Sequence, residues 1–462
     1  MEIPMNRGKK TILITISRGG TARNILQTRI FKHLLEMNIQ IVIVTPAYND
    51  QKFVETFAHP NVIFEPLFEL PWRPLDRYFV GLHKALVYNY STEFRDKFGI
   101  YNPEEGSLLK YYLRRFFIRP FAQLPKLHNL ARRLDDVVCP ARAYHHIFEK
   151  YKPDAVFATS VVEDMDIEVM KTAREYKVKI IGMAKSWDNL SKINMRVVPD
   201  ILLTWGPYSQ REAQEFSNVE ESTIVNVGIP QWDFYHDPMY TLTREQFCAM
   251  NNLDPQKKII VFGSEGKITP GDGPIAKFIA QKIQAGELEN AQLYVRPHFM
   301  HVGDEKKFEG LQGVSGVVVD TSYKHNTVFK DNWDYSYTQI AHFTNLMKHA
   351  DVLVTTASSL TLDAAANDCP IINIHFDGDG YQDKQHSITR WYTTEHYRNV
   401  LQTNAVSLVE DGVSLCSAIQ VYLREPTIKQ VERKNLTEYF GFHNDGKTAE
   451  RVCDQLRIML QL

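Results

Sequence analysis

The stretch Ala350 to Asp377, ADVLVTTASSLTLDAAANDCPIINIHFD, constrains the fold more than any other. Asp351 to Thr356 is a short β-branched run, the pattern of a buried strand. Ala357-Ser358-Ser359 is small and polar, and Leu360 to Asn367 is rich in Leu and Ala and reads as a helix. Asp368-Cys369-Pro370 breaks that helix, and Pro370 to Phe376 is a second buried strand. A βαβ unit of this kind places its polar turn at the carboxyl end of a parallel sheet, where such sheets bind ligands. The free N–H groups of a helix start suit a phosphate, and Ser358 and Ser359 add hydroxyls. Asp363 follows Ser359 by four residues, so the two share a helix face, and its carboxylate is placed to accept from ribose hydroxyls. The same pattern also describes an ordinary N-capped helix in any α/β protein.

The strand–helix rhythm runs along most of the chain. Thr11 to Ser17, Gln40 to Thr45 and Asn61 to Glu65 read as strands, with a tight turn at Arg18-Gly19-Gly20-Thr21 and a helix from Ala22 to Met37. The turn is neither GxGxxG nor a Walker A loop, which favours a turn under a helix over a phosphate loop. Strands resume at Ala155 to Thr159, Val178 to Met183, Asp200 to Thr204 and Thr223 to Val227. The pattern lapses between Asp233 and Asp254, the expected linker. A second series follows at Lys258 to Gly263, Ala291 to Val295, Gly316 to Asp320, Asp351 to Thr356 and Pro370 to Phe376. The prediction is an α/β protein with two Rossmann-like domains, 1–240 and 241–462, whose parallel sheets face a central cleft. The last helix, Lys447 to Leu460, is a candidate to cross back onto the first domain.

Leu67 to Arg133 departs from this rhythm and is expected to be a helical insertion in the first domain. Within it, KYYLRRFFIRPFAQLPKLHNLARR at 110–133 is basic and aromatic. Such a surface is a candidate for peripheral contact with anionic lipid or for attracting an anionic acceptor. Pro120 and Pro125 interrupt the helix that membrane docking wants, which favours a hairpin packed on its own domain.

At 462 residues two domains are expected, and a formal net charge of −2 gives no global reason to expect nucleic acid as a partner. Five scattered cysteines without zinc spacing fit reduced thiols and a cytoplasmic location. No apolar signal segment opens the chain, and no run of about 18 apolar residues is present.

Other polar turns end strands of the second series. Gly263-Ser264-Glu265-Gly266 follows its first strand, and Arg296-Pro297-His298 its second. A cation and an imidazole beside a Ser-Ser helix start form a candidate diphosphate clamp of Arg296, His298, Ser358 and Ser359, with Gly263 and Ser264 in the neighbouring turn. Asp377-Gly378-Asp379 has the DxD spacing of a metal motif, but no third ligand stands at fixed spacing, so no metal is expected. Glu163, Asp164 and Asp166 open a helix after a strand, where acids are common caps. Glu163, and Asp188 in the loop SWDN, are the candidate bases for an acceptor hydroxyl, and His298 is a further catalytic candidate.

Taken together, SWDNLSK (186–192), PDILLTWGPYSQREA (199–213), VGIPQWDFY (227–235), YVRPHF (294–299), ADVLVTTASSLTLDAA (350–365) and DGKTAERV (445–452) resemble the GT-B glycosyltransferases. They are most similar to the branch with bacterial CDP-glycerol glycerophosphotransferases and capsule glycosyltransferases. The resemblance begins near Asp154 and does not include Leu67 to Arg133. It implies transfer of a sugar or polyol phosphate from a nucleotide-activated donor to a glycan or lipid-linked hydroxyl acceptor. It implies a CDP/CMP- or UDP-linked donor as substrate, no separate cofactor, donor phosphate on Arg296, His298, Ser358 and Ser359, and ribose near Asp363. Phe299 stands where a proline is expected after the RPH histidine, and the first-domain loop has no obvious base histidine. Two other readings stand beside it: a non-hydrolysing nucleotide-sugar 2-epimerase, and a non-catalytic binding scaffold of the same fold.

Overall fold

The computed structural model describes residues 9–99, 106–122, 124–266, 269, 271–298, 300–322, 327–331, 336–378 and 386–462. Two sheets carry the architecture. The first contains β1 (Thr11–Thr15), β2 (Gln40–Thr45), β3 (Val62–Pro66), β4 (Ala155–Ala158), β5 (Lys179–Met183), β6 (Ile201–Thr204) and β7 (Ile224–Asn226). Its order is β3-β2-β1-β4-β5-β6-β7, and every pairing is parallel. The second contains β8 (Lys258–Gly263), β9 (Ala291–Arg296), β10 (Val317–Val319), β11 (Val352–Thr355), β12 (Ile371–Ile374) and β13 (Ser407–Val409). Its order, β10-β9-β8-β11-β12-β13, repeats the doubly wound pattern of the first. Helices cover both faces of each sheet, so the central strands read as continuous apolar runs, TILIT in β1 and IIVFG in β8. The order of each sheet reverses beside its first strand, between β1 and β4 and between β8 and β11. The polar turns of both domains open at those two switch points.

Several elements differ from the sequence reading. The helix expected over Ala22 to Met37 is two helices, α1 (Gly19–Leu26) and α2 (Arg29–Glu36). Thr28 divides them: its hydroxyl bonds back to the Asn24 carbonyl and accepts from the Ile30 N–H that opens α2. The sixth strand of the second sheet, β13, is only three residues long, too short for an alternation pattern to show. The expected linker is a packed joint. Pro230–His236 forms a 3-10 turn with Trp232 fully buried, and Arg244–Met250 is helical.

The last helix, Thr448–Leu460, packs against α2 and the 230–236 turn, and so crosses onto the first domain. Its first N–H groups, from Thr448 and Ala449, donate to the buried carboxylate of Asp233 at 3.1 and 2.9 Å. A carboxylate at a helix start satisfies orphan donors and complements the helix dipole, which fixes where this crossing begins.

Between β3 and β4 the described residues are entirely helical and turn. Pro74–Ala85, Tyr90–Phe98, a run from Leu108 to Ala122, Pro125–Val138 and His145–Tyr151 form the insertion. The helix from Leu108 passes through Pro120 instead of stopping there. Residues Arg114–Ile118 take a π-helical turn, with the Arg119 N–H reaching the Arg114 carbonyl five residues back. The wider turn relieves the clash that a proline ring otherwise makes with the preceding turn, so the proline does not interrupt this helix as its sequence implied.

Asp135 anchors the insertion. It is fully buried, and its carboxylate meets Arg196 at 2.7 and 3.0 Å, Lys171 at 2.8 Å and His83 at 3.3 Å. Burial alone raises the pKa of such an acid, but the bonds from His83 and Arg196 and the charges of Arg196 and Lys171 hold it well below the usual carboxylate range. Removing the charge leaves two buried cations without their partner. Asp135→Asn should therefore cost about 3–5 kcal/mol in urea unfolding at pH 7. Because the folded pKa is depressed, this contribution is present above the unfolded carboxylate's pKa of about 3.9 and is lost as pH falls through the lower folded value. The gap between wild type and variant should accordingly close in acid; a gap that stays constant below pH 4 would contradict the account.

Candidate functional site

The facing carboxyl edges of the two sheets enclose a cleft of about 770 Å³, within the range of small-molecule sites. The first domain contributes Arg18, Gly20, Arg23, Glu163 and the loop Lys185 to Asn189 with Lys192. The second contributes Ser264, Arg296, Pro297, His298, Ser358, Ser359 and Asp363. Every candidate site residue except Gly263 lines this one space.

Gly263 instead lies beneath the helix Leu360–Ala366. A Cβ there would meet Leu360 Cδ1 at 2.3 Å, so the glycine permits that helix to sit against β8. Ser264 reaches the cleft, but its hydroxyl organises the loop. It donates to Asp272 at 3.0 Å and accepts from Lys307 Nζ and the Gly266 N–H. Both residues shape this wall of the cleft through packing and loop hydrogen bonds.

Arg296 is nearly buried, its guanidinium stacked 4.5 Å over the Phe343 ring and 3.7 Å from Asp320. These contacts hold a positive charge at the end of β9 in a fixed orientation. His298 stacks on His301, ring centroids 4.3 Å apart, and its Nδ1 accepts the Met300 N–H at 3.3 Å, which assigns the neutral ring's proton to Nε2. Burial, and then the neighbouring His301, push its pKa down to about 3. The sequence implied a titratable imidazole; the structure shows a neutral one at any physiological pH, a hydrogen-bond donor rather than a cation.

Ser358 is buried and Ser359 exposed at the start of the helix Leu360–Ala366. Glu265 stands beside them, accepting from Thr356 Oγ1 at 3.3 Å and bonded to Ser358. Burial, opposed by those bonds, raises its pKa to about 8, so it is a neutral acid at pH 7. Asp363 lines the cleft, but one oxygen is already claimed. Oδ1 accepts from Tyr235 OH at 2.9 Å, Trp232 Nε1 at 3.2 Å and Gln231 Nε2 at 3.5 Å. The residue expected at a ribose is thus also the tie between the second domain and the joint.

On the opposite wall, Glu163 bridges Arg18, at 2.7 Å, and Lys185, and burial is outweighed by these cations, which depress its pKa. It does not cap its helix through its side chain. Asp188 pairs with Lys192; burial opposes ionisation, and the charges of Lys192 and His396 overcome it and hold the carboxyl well below its usual range. Asp377 Oδ1 accepts the Ile388 N–H at 2.9 Å, the work of a turn residue, while Asp379 lies outside the described residues.

Arg18, Arg23, Lys185, Lys330 and Asp331 were not singled out in the sequence, because no spacing links them. Arg23 hydrogen-bonds Gln231, and burial lowers its pKa to about 10, so it remains a cation. Asp331 crosses from the second domain to the start of α1, where its two carboxylate oxygens accept the Gly19 and Gly20 N–H groups at 3.0 and 2.9 Å. The Arg18-Gly19-Gly20 turn thus does hold an anion, one supplied by the chain itself. Phe329 beside it is buried 5.8 Å from the Phe53 ring, and Lys330 pairs with Glu69. The cleft is held closed along this edge.

The protonation states carry an expectation. The affinity for an esterified nucleotide diphosphate, which does not itself titrate near neutrality, should show no inflection near the ordinary histidine pKa of about 6.5. It should instead fall as pH rises through about 8, when Glu265 ionises beside Ser358. Glu265→Gln should remove that fall in calorimetric titrations; an inflection near 6.5 abolished by His298→Asn would contradict the neutral imidazole.

Solved structures share this architecture. A glycosyltransferase from Rickettsia africae aligns with a TM-score of 0.52 at 12% identity, over 98% of this chain and 99% of that one. A UDP-GlcNAc 2-epimerase from Neisseria meningitidis, bound to UDP-GlcNAc, aligns at 0.56 and 10% identity, over 97% and 99%. The wall teichoic acid polymerase TagF aligns at 0.50 and 11% identity, over 98% and 89%. No curated protein matches the chain. The family model described as CDP-glycerol:poly(glycerophosphate) glycerophosphotransferase matches residues 157–457, well over half of the sequence. With its two doubly wound domains closed over a cleft of strand-end cations, hydroxyls and carboxylates, this chain belongs to that family of transferases, which use nucleotide-activated donors to build surface polymers.

Proposed function

We propose that the protein transfers glycerophosphate from a CDP-glycerol-type donor to a hydroxyl of a glycan or lipid-linked acceptor. The observation that carries the reading is the convergence of Arg296, His298, Ser358 and Ser359 on one wall of a single cleft, facing Glu163 and Asp188 on the other. In this reading the Arg296 charge, the serine hydroxyls and the His298 Nε2–H hold the donor diphosphate. The acceptor oxygen attacks the glycerol-bearing phosphorus, the bond to the CMP phosphate oxygen breaks, and the hydroxyl proton passes to a carboxylate. Preorganised donors of this kind stabilise the leaving phosphate without reorganising, and the reading calls on no separate cofactor.

Asp188 is the better base of the two acids. Both oxygens of Glu163 are taken, one by Arg18 and one by Lys185. Asp188 is ionised beside Lys192, which meets its Oδ2, while the Asn189 amide makes a long contact of 3.4 Å to Oδ1 and Ser186 also bonds the carboxylate. Losing Arg296 should weaken donor binding roughly ten- to a hundred-fold, the worth of about 1.5–3 kcal/mol for a charged hydrogen bond. Asp188→Asn should lower kcat by about 10²–10⁴ with donor affinity little changed. Calorimetry with CDP-glycerol and measurement of CMP release would test both. Wild-type affinity and turnover in both Arg296→Ala and His298→Ala would sink the clamp, and full turnover in Asp188→Asn would sink the base.

The reading extends to the membrane. No described helix is long and apolar enough to cross a bilayer. The insertion helix nevertheless exposes Leu109 (71%), Phe116 (67%) and Phe117 (70%), with Leu113 and Phe121 also turned outward along the same run. Lys110, Arg115 and Arg119 flank them. Apolar side chains at helical spacing with basic neighbours fit a helix lying in the headgroup region of an anionic bilayer, where a lipid-linked acceptor is carried. The protein should co-sediment with vesicles containing phosphatidylglycerol and less with neutral phosphatidylcholine vesicles, and the F116E/F117E double variant should lose the binding. Equal binding to both vesicle types would remove the electrostatic part, and unchanged binding by the double variant would remove the docking face.

A further inference from the structure

Asp188 stands in the loop 186–192, and parts of the chain far away in sequence hold that loop on either side of it. Three residues after Asp188, Ser191 is fully buried, and its carbonyl accepts from Nδ2 of Asn89 in the insertion at 2.7 Å. One residue before Asp188, the Trp187 ring meets His396 edge to face, with centroids 4.8 Å apart. His396 belongs to the helix Glu395–Gln402 of the second domain. Burial lowers its pKa to about 4, so at pH 7 the contact is one between neutral rings.

The two holds are also joined to each other. The helix Tyr90–Phe98, which Asn89 caps, meets the helix Glu395–Gln402 start to start. The Glu395 N–H donates to Ser91 Oγ at 2.9 Å, and the Tyr90 N–H donates to Glu395 Oε2 at 3.3 Å. Each helix thus supplies an acceptor for an orphan N–H of the other. Arg398 closes the contact, 3.9 Å over the Tyr90 ring. Loop, insertion and second domain therefore form a closed circuit of contacts.

Asn89 carries more than its cap requires. Its Oδ1 accepts the Thr92 N–H at 2.9 Å, and its own N–H donates to Thr92 Oγ1 at 2.9 Å. Ser or Asp caps a helix as well as Asn does. Only the amide places a donor and an acceptor on separate atoms of one short side chain. The acceptor serves the helix, and the donor serves the loop that holds Asp188.

We propose that Asn89 and His396 are positioning residues for Asp188, which hold its loop from the insertion and from the second domain, so that the closed arrangement of the domains sets the base in place. The inference rests on the reading of Asp188 as the base. It gives the insertion a part in the chemistry, although Asn89 precedes residues 157–457, which the family model matches. A displacement of about 1 Å can cost a factor on the order of 10² in rate, so such a hold acts on turnover and leaves donor affinity alone.

The test follows CMP release from CDP-glycerol by the whole protein, with glycerol as the hydroxyl acceptor. Asn89→Ser keeps a cap acceptor and loses the amide donor, and His396→Ala removes the ring beside Trp187. Each should lower kcat about ten-fold or more, with calorimetric affinity for CDP within about two-fold of wild type. His396→Phe, which keeps a ring against Trp187, should restore most of the rate. In an Asp188→Asn background the first two changes should cost less than about two-fold, because residues that act only by placing the base then have nothing left to place. A merely structural role would cost the same factor in both backgrounds, and retained CDP affinity reports that the variants are folded. Wild-type kcat in Asn89→Ser or His396→Ala, equal losses in both backgrounds, or a loss of CDP affinity that matches the loss of rate would each overturn the proposal alone. Full turnover in Asp188→Asn, or no CMP release by the wild type, would overturn the base reading and the proposal with it.

Discussion

The buried carboxylate of Asp363 governs the relation between the two domains. It belongs to the second domain, yet its donors, Tyr235, Trp232 and Gln231, all come from the joint. Gln231 in turn accepts from Arg23 on α1 of the first domain. A carboxylate at this depth is costly unless its hydrogen bonds are made, and burial does raise its pKa, against the bonds from Tyr235 and Trp232 and the charge of Arg23. The arrangement is therefore satisfied in one relative placement of the three segments. That placement is the one in which the strand ends of both sheets face each other.

The same logic recurs at two other carboxylates that cross from one element to another. Asp233 in the joint caps the last helix, so the chain's final segment is bound to the first domain by orphan N–H groups that need an acceptor. Asp331 meets the N–H groups of Gly19 and Gly20 and closes the opposite edge of the cleft. The cleft wall of the second domain, by contrast, gathers groups whose charge and protonation are set by their surroundings. Arg296 is oriented by Phe343 and Asp320, His298 is kept neutral by burial, and Glu265 is kept protonated beside the serines. Each of these groups either attracts an anion or avoids repelling one.

The insertion departs from the strand–helix pattern and has two unlike faces. Its buried face is pinned by Asp135 and by Arg132, which reaches the Met195 carbonyl and Asn194. Its outer face exposes aromatic and aliphatic side chains that a soluble helix ordinarily buries. The π-helical turn around Phe116 and Phe117 lets that face continue past Pro120. Nothing in the sequence separates a proline that stops a helix from one that a wider turn absorbs, because the choice depends on packing outside the segment.

Local information was enough for every strand but the last. Runs such as TILIT and QIVIVT, buried on both faces, announce a parallel sheet whatever surrounds them, and polar turns after them place the ligand end. Arg296, His298, Ser358 and Ser359 were legible for the same reason, since each follows a strand whose direction the βαβ rhythm dictates. The short strand β13 and the break at Thr28 were not, because three residues carry no period and a threonine is compatible with either a helix interior or a cap. Protonation was not legible either: burial and neighbours from distant positions make His298 neutral and Glu265 an acid, and neither influence is local in the chain. Gly263, expected in the turn beside the clamp, lies beneath the helix Leu360–Ala366, and only the packed helix shows that Leu360 occupies the place of its missing side chain. Periodicity and turn chemistry are properties of neighbours in the chain, so the amino-acid order alone pointed to two parallel sheets and to the strand-end turns that line the cleft. Which donors each carboxylate meets depends on contacts between residues up to 312 positions apart, such as Gly19 and Asp331, and only the folded chain brings those together.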